Sequence, residues 1–115
     1  MAEGVKTIIY PVKDLEAAKA VYGELLGVKP IADESYYVGY QVAGQDVGLD
    51  PNGHAQGLTG ALAYWHVDDL EQRLEALLAV GAKVLQPVRD VGGGKLVASV
   101  EDGDGNQIGL LQNPH

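Results

Sequence analysis

The chain has 115 residues, with 8 Lys and Arg against 16 Asp and Glu, and a formal net charge of -8 at pH 7. This length predicts one compact domain, and the acidic charge argues against binding to nucleic acid, whose phosphates attract Lys and Arg. The absence of cysteine excludes disulfides and thiolate chemistry. No apolar run of about 18 residues could span a membrane, and the opening residues lack a signal-peptide pattern, so we expect a cytoplasmic protein.

The first part of the chain predicts one strand, one helix and three further strands. Residues 7–12 alternate and are rich in β-branched side chains, which is typical of a strand. Asp14 is a suitable N-cap for the helix that follows, and Gly27 is a suitable left-handed stop. Three strands are then predicted at residues 28–32, 36–42 and 46–50, the last two forming a hairpin in which Ala43 is taken to pair with Asp46.

The second part of the chain repeats this plan after a linker at 51–59 that is rich in turn-forming residues. Asp69 with Gln72 three residues later forms a capping box for the second helix. Alternation along the strand 61–67 places Trp65 on the helix side, where we expect it in the core. The remaining predicted strands lie at 83–88, 95–101 and 107–112.

Short phrases at equivalent points show that the two parts are repeats of one unit. The four residues Val12, Asp14, Leu15 and Glu16 recur in the same spacing as Val67, Asp69, Leu70 and Glu71. We therefore predict an α+β domain of two βαβββ repeats, at about 5–50 and about 60–112. The expected architecture is an open, half-barrel mixed sheet with a concave cavity and helices outside, and the repeats could pair within one chain or across a swapped dimer.

The strand-to-helix junctions and the late segment 101–110 resemble those of the vicinal oxygen chelate superfamily. That superfamily includes glyoxalase I, extradiol dioxygenases, fosfomycin-resistance enzymes and bleomycin-resistance proteins. The resemblance covers the chain from about residue 6 to residue 111. It is specific for the fold and much less specific for the chemistry.

The resemblance also indicates where a metal ion would be held in an enzyme of this superfamily. Its four ligands come from the first and last strands of each repeat, and these positions correspond to Thr7, Gly48, Leu62 and Gly109. None of these residues is a good metal ligand. We expect the glycines to leave room facing the cavity, and we expect neither a metal nor another cofactor. The resemblance is therefore closest to the metal-free, antibiotic-binding members.

Strand alternation predicts the residues that face the cavity. The candidate ligand-binding residues are Thr7, Ile9, Tyr37, Asp50, His54, Leu62, Tyr64, His66, Gln107 and Leu111. Tyr64 could stack on a planar ligand or be a core tyrosine with its hydroxyl in water. His66 is a candidate catalytic group, as a general base, or a donor to a ligand carboxylate, although it could instead be a strand-end histidine near a helix N-terminus. Tyr37 and Asp50 could instead lie at a solvated sheet edge, and His54 on a surface loop.

Three functions remain open from the sequence. The first is a homodimeric binder of a small planar or aromatic molecule, such as an antibiotic or an aromatic metabolite, without turnover. The second is a lyase, isomerase or oxygenase of the same fold with relocated metal or acid/base residues, among which His66, His54 and Asp50 are candidates. The third is a module whose open sheet face docks another protein.

Overall fold

A computed structural model describes residues 2–114 of the chain. The order of strand, helix and three strands occurs twice, as the repeated phrases predict. The first set comprises β1 (Ala2–Pro11), α1 (Leu15–Leu26), β2 (Ala32–Glu34), β3 (Tyr37–Val42) and β4 (Gln45–Asp50). The second set comprises β5 (Leu62–Val67), α2 (Leu70–Ala79), β6 (Lys83–Asp90), β7 (Leu96–Glu101) and β8 (Gln107–Gln112).

The chain divides into two compact units, here called the N-terminal unit (6–62) and the C-terminal unit (63–114 with 2–5). In the N-terminal unit the strand order is β2-β3-β4-β1, with β1 parallel to β4 and the other pairs antiparallel. In the C-terminal unit the order is β5-β8-β7-β6, with β5 parallel to β8. Each sheet is mixed and open, which confirms the predicted α+β class.

Helix α1 begins and ends where the sequence predicts. The Asp14 side chain accepts a hydrogen bond from the Ala17 amide at 3.1 Å, and Gly27 closes the helix in the left-handed region with φ 68. The helix packs on one face of its sheet. That contact joins Leu15, Ala18, Tyr22 and Leu26 to a buried cluster of Val38, Tyr40, Val47 and Leu49.

Helix α2 is fixed at its start by two side chains. Asp69 accepts from the Gln72 amide at 3.2 Å, and Gln112 from the end of β8 accepts from the Leu70 amide at 2.8 Å. Both contacts supply acceptors to the first turn, where helical amides lack partners within the helix. The apolar face of α2 packs on a buried cluster of Val67, Leu70, Ala98 and Leu110.

The β3–β4 hairpin differs in register from the expected one. Val42 pairs with Gln45, whereas a pairing of Ala43 with Asp46 was expected, so the turn contains only Ala43 and Gly44, both with positive φ. Such two-residue turns match the twist of the adjoining strands. The slip amounts to two residues along the ladder, and side chains alternate with a period of two, so every residue keeps its predicted face.

Three local expectations also change. The short strand lies at Ala32–Glu34, four residues later than the start predicted for it. The predicted linker contains a 3₁₀ turn at His54–Gln56, and Leu58 of the same linker is 3% exposed, so part of this segment is buried. The prediction that Trp65 is a core residue is wrong, because 43% of it is exposed.

Neither helix among residues 2–114 has the length and apolar character needed to cross a membrane.

Candidate functional site

The face of the N-terminal sheet that points away from α1 carries the first group of predicted site residues. Tyr10 and Val12 pack towards the helix, so the alternate residues Thr7 and Ile9 of β1 point to the other face. Ile9 lies beside Gly48 of β4, which in turn lies beside Gly39 of β3. The structure therefore brings Thr7, Ile9 and the former metal position Gly48 onto one face, as predicted.

Gly48 does not leave open space on this face. A Cβ atom at this position would lie 2.6 Å from Ile9 Cδ1 and 2.7 Å from Tyr37 Cζ, and it would overlap the Tyr37 hydroxyl. The ring of Tyr37 also lies over Gly39, with its Cε2 3.0 Å from where a Cβ would be. The glycines make room for this tyrosine ring, and the expectation that they leave an empty cavity wall is wrong.

Three other candidates of the N-terminal unit have different surroundings. The Asp50 carboxylate accepts from the Asn52 amide at 2.8 Å, which is an Asx-turn at the end of β4. His54 is exposed on the 3₁₀ turn, while Leu62 is fully buried at the start of β5. The structure thus gives Asp50 a turn-forming role and leaves His54 on a surface segment.

The C-terminal sheet carries a continuous row of residues across its four strands. Tyr64 on β5 pairs with Gly109 on β8, which pairs with Ser99 on β7, which pairs with Gln86 on β6. Ser99 is fully buried, and its hydroxyl lies 3.1 Å from Gln86 Oε1 and donates to it. This row lies on the face opposite α2, because the alternate residues Ala98 and Leu110 belong to the cluster under the helix.

Gly109 repeats the arrangement seen at Gly48. A Cβ atom there would lie 2.6 Å from Tyr64 Cδ1, 2.8 Å from Tyr64 Cγ and 2.9 Å from the Ala63 carbonyl oxygen. Tyr64 is 6% exposed, so its ring is a buried part of the sheet face. In each repeat, a tyrosine ring from a neighbouring strand covers the glycine that occupies the last-strand position.

The remaining candidates of the C-terminal unit lie on the same face. His66 is 7% exposed and pairs with Leu111, which pairs in turn with Val97. Gln107 pairs with Glu101 at the other end of β8. His66 takes part in at least one polar, aromatic or electrostatic interaction within the chain. The structure therefore places His66, Leu111 and Gln107 on the face that also carries Tyr64 and Ser99.

Ser99 and Gln86 were not predicted as site residues. The face of β7 could not be read from its sequence, because a bulge near the turn before β8 would invert it. The structure shows regular pairing between β7 and β8, whereas the irregularities lie between β6 and β7 on either side of Gln86. One signal was available in the sequence, namely a serine within an otherwise apolar strand.

The residues at the four former metal positions do not fit a divalent cation. Gly48 and Gly109 carry no side-chain donor atom, Leu62 is apolar, and Thr7, a residue that is 6% exposed, offers one neutral hydroxyl. Across residues 2–114, no three or more His, Asp or Glu side chains come together in a group that could hold a metal ion. Within the described part of the chain, these faces offer stacking, hydrogen bonding and the buried imidazole of His66.

Comparison with protein families gives one match over most of the chain. The model of the Glyoxalase/Bleomycin resistance protein/Dioxygenase superfamily matches residues 4–110. A comparison with curated protein sequences gives no significant match.

Solved structures with a similar fold include a member of this superfamily without a named activity and two named enzymes. A glyoxalase/bleomycin resistance protein/dioxygenase superfamily member from Vibrio splendidus is 17% identical, with a TM-score of 0.69 and coverage of 99% of this chain and 100% of that one. Methylmalonyl-CoA epimerase from Mycobacterium tuberculosis is 16% identical, with a TM-score of 0.72 and coverage of 99% and 90%. The Mn(II)-bound glyoxalase from Novosphingobium aromaticivorans is 20% identical, with a TM-score of 0.70 and coverage of 96% and 39%. At these identities the likeness concerns the fold alone.

Proposed function

Because this chain belongs to the glyoxalase/bleomycin resistance protein/dioxygenase superfamily, we propose that it is a metal-free small-molecule-binding protein of that superfamily. The main support is the pair of glycines at the last-strand positions, each covered by a tyrosine ring. A glycine supplies no ligand atom, and the ring over it occupies the volume in which a longer side chain would have to lie. The superfamily's metal chemistry has no equivalent set of donors here.

The proposed ligand is a planar or aromatic molecule such as an antibiotic or an aromatic metabolite. On the C-terminal sheet Tyr64 offers an aromatic ring to such a ligand, and aromatic pairs prefer stacked or edge-on contacts. Gln86 and His66 supply amide and imidazole groups on the face of the C-terminal sheet that carries Tyr64, and the buried Ser99 hydroxyl donates to Gln86 and holds it in place. This combination of apolar surface with a few polar groups is typical of small-molecule sites.

A homodimer is part of the same proposal. Val21 and Leu25 lie one turn apart on α1 and are 63% and 72% exposed, so this helix carries an apolar stripe on its outer side. Light scattering coupled to size-exclusion chromatography measures the mass directly. A monomeric mass at micromolar concentration would contradict this part of the proposal.

The deciding experiment compares metal binding with ligand binding in the purified protein. Elemental analysis measures bound metal, and thermal melts are recorded with Mn, Fe, Ni, Co and Zn salts and with a chelator. We expect no stoichiometric metal and no rise in melting temperature, because stabilisation by a ligand requires preferential binding to the folded state. Melts with planar aromatic metabolites and antibiotics should show stabilisation by at least one of them. Near-stoichiometric metal whose removal lowers the melting temperature would overturn the proposal.

The second candidate is an enzyme with a relocated acid/base group, and buried His66 is the observation that favours it. Histidine is the side chain most often used for proton transfer in enzymes, and His66 lies on a sheet face with polar neighbours. Glyoxalase-type and epimerase-type substrates are tried with wild type, His66→Gln and His54→Gln. The enzyme hypothesis would be favoured if the turnover is lost in His66→Gln but kept in His54→Gln, which changes an exposed histidine. If wild type shows no turnover, the binding-protein hypothesis is favoured.

A further inference from the structure

Strand β6 contains two irregularities that determine which of its side chains reach the sheet face opposite α2. Between Val84 and Gln86, and again between Gln86 and Arg89, β6 has one residue more than the facing stretch of β7. Each such bulge inverts the alternation of side chains along the strand. As a result, Gln86 lies opposite Ser99 and Arg89 lies opposite Val97, and both point to the face away from α2.

The bulges give Gln86 a position that simple alternation would not. In a regular strand it would share a face with Val88, which packs in the cluster under α2. It lies instead beside Ser99, whose hydroxyl donates to Gln86 Oε1 at 3.1 Å. Because this hydrogen bond engages the amide oxygen, the group that Gln86 offers to a ligand is its nitrogen, which carries two N–H donors. Bulges commonly re-aim a side chain beside a functional site.

The edge of the face at β6 is within reach of a ligand. Ser99 is fully buried, Gln86 is half-buried and Arg89 is exposed, so access to solvent increases towards this outer strand. Gln86 and Arg89 each take part in at least one further interaction within the chain. A guanidinium has five N–H donors in a planar fork, so Arg89 can keep such a contact and still bind a carboxylate.

The two rows of paired residues that end in these donors include no carboxylate. One row consists of Tyr64, Gly109, Ser99 and Gln86, and the other of His66, Leu111, Val97 and Arg89. In the row beyond Gln86, Glu101 lies opposite Lys83, a residue of the other charge. The donors of β6 therefore adjoin apolar and neutral polar groups of the sheet, which suits a ligand that brings its own negative charge.

We propose that the ligand of the C-terminal sheet face is a planar aromatic carboxylate, with its carboxylate held by Gln86 and Arg89 and its ring over Val97 and Leu111. Arginine binds a carboxylate through two parallel hydrogen bonds, and the carboxylate has capacity for a further donor. Gln86 and Arg89 lie opposite residues that are two apart on β7, or about 7 Å, which two long side chains can bridge. This inference rests on the proposed binding function and specifies the charge of its ligand.

The test compares two probes, naphthoate and naphthamide, by isothermal titration calorimetry. They share one planar ring system and differ in charge at neutral pH. We expect wild type to bind naphthoate at least about ten-fold more tightly than naphthamide, because a hydrogen bond to a charged group contributes about that factor. Added sodium chloride should weaken the binding of naphthoate more than that of naphthamide, since Arg89 is exposed and its charge is screened.

Variants of the two donors locate the recognition of charge. Arg89→Gln and Gln86→Met should each weaken naphthoate binding about ten-fold and have a smaller effect on naphthamide. Arg89→Lys keeps the charge without the planar fork, so its affinity should lie between those of wild type and Arg89→Gln. Lys29→Gln is the control, because it removes one positive charge from an exposed position in the N-terminal unit and should leave both affinities unchanged. Far-ultraviolet circular dichroism establishes folding, and the exposed Arg89 provides the test even if Gln86→Met does not fold.

Three results would overturn this inference. Equal affinity of wild type for naphthoate and naphthamide would show that the face does not recognise charge, while the binding function itself would stand. Equal effects of Arg89→Gln and Lys29→Gln would reduce the contribution of Arg89 to the overall charge of the chain. The third result is that neither probe binds at millimolar concentration, whereas the binding function is judged separately, by the melts with metals and with other planar ligands.

Discussion

At the scale of single residues, the main feature is the tyrosine that covers a glycine in each repeat. Tyr37 lies over Gly48, and Tyr64 lies over Gly109. Both glycines are in β-strands, where any residue could adopt the backbone conformation, so the requirement for glycine is one of space. Overpacking of this kind typically costs about 1–3 kcal/mol.

Gly48→Ala should therefore lower the free energy of unfolding by about 1–3 kcal/mol. Gly60→Ala is the control, because no heavy atom lies within 4 Å of a Cβ atom at that position. Urea denaturation followed by circular dichroism measures both. Adding Tyr37→Leu should relieve part of the penalty, so that the double variant is more stable than the sum of the single effects predicts. Equal stability of Gly48→Ala and Gly60→Ala would contradict the packing described here.

A second residue-scale prediction concerns the turn between β7 and β8. Asp102 accepts from the Asn106 side chain at 2.9 Å and from the amides of Asp104 and Asn106, each at 2.9 Å. These hydrogen bonds, that from the Asn106 side chain first, hold the pKa of Asp102 below its usual value of 3.8. A lowered pKa in the folded state means that the carboxylate stabilises the fold above pH 3.8 and that this contribution is lost as the pH falls below it.

Asp102→Asn should therefore lower the melting temperature at pH 7. The difference from wild type should shrink as the pH falls below the ordinary pKa of the aspartate. Melts of both proteins across the acidic range measure this. A difference that stays constant down to the acid limit of folding would show that the charge of Asp102 has no part in the turn.

At the scale of elements, each helix is fixed by contacts that its own short sequence largely determines. Asp14 and Asp69 cap the two helices as the local sequence predicts. The contact of Gln112 with the Leu70 amide is different, because it joins the last strand to the start of α2 over 42 positions of the chain. No local pattern could have indicated it.

Gln112→Met keeps the length of this side chain but removes the acceptor. The partly buried Leu70 amide would lose its partner, and such a loss costs about 1–3 kcal/mol. Asp69→Ala removes the neighbouring cap and should cost about 1 kcal/mol. Urea denaturation measures both variants. A Gln112→Met protein as stable as wild type would mean that water replaces the amide oxygen at no cost.

The same distinction between local and distant information explains what the sequence could predict. Helix caps, strand alternation and the repeated junctions are local, and they led to the correct order of elements and to the faces of β1, β5 and β8. The partners of Tyr37 and the face of Ser99 depend on which strands lie side by side. The predicted hairpin register was wrong by two residues. The observed tight turn places Ala43 at a positive φ, a conformation that alanine rarely adopts, so the sequence did not indicate it. The exposure of Trp65 follows from the placement of α2, which strand alternation does not determine.

At the scale of the whole molecule, the excess of 16 acidic over 8 basic residues dominates the electrostatics. Like charges on a compact chain repel one another, and added salt screens that repulsion. The melting temperature should therefore rise modestly between low and physiological ionic strength, and solubility should be lowest near the sequence pI of about 4.6. Melts and solubility curves across salt and pH measure both effects. A melting temperature that falls on adding sodium chloride would show that attractive ion pairs, such as Lys19 with Asp33, outweigh the repulsion.

The paired tyrosines also limit how this protein could change in evolution. A carboxylate or imidazole introduced alone at position 48 would destabilise the sheet, because the volume it needs is taken by Tyr37 and Ile9. The ring must shrink first, and that step alone would leave a hole in the sheet face. The same order of events applies to Gly109 and Tyr64. A metal-ligating side chain at either glycine position would thus need a pair of substitutions whose intermediates are less stable, and the two repeats would have to make this change separately.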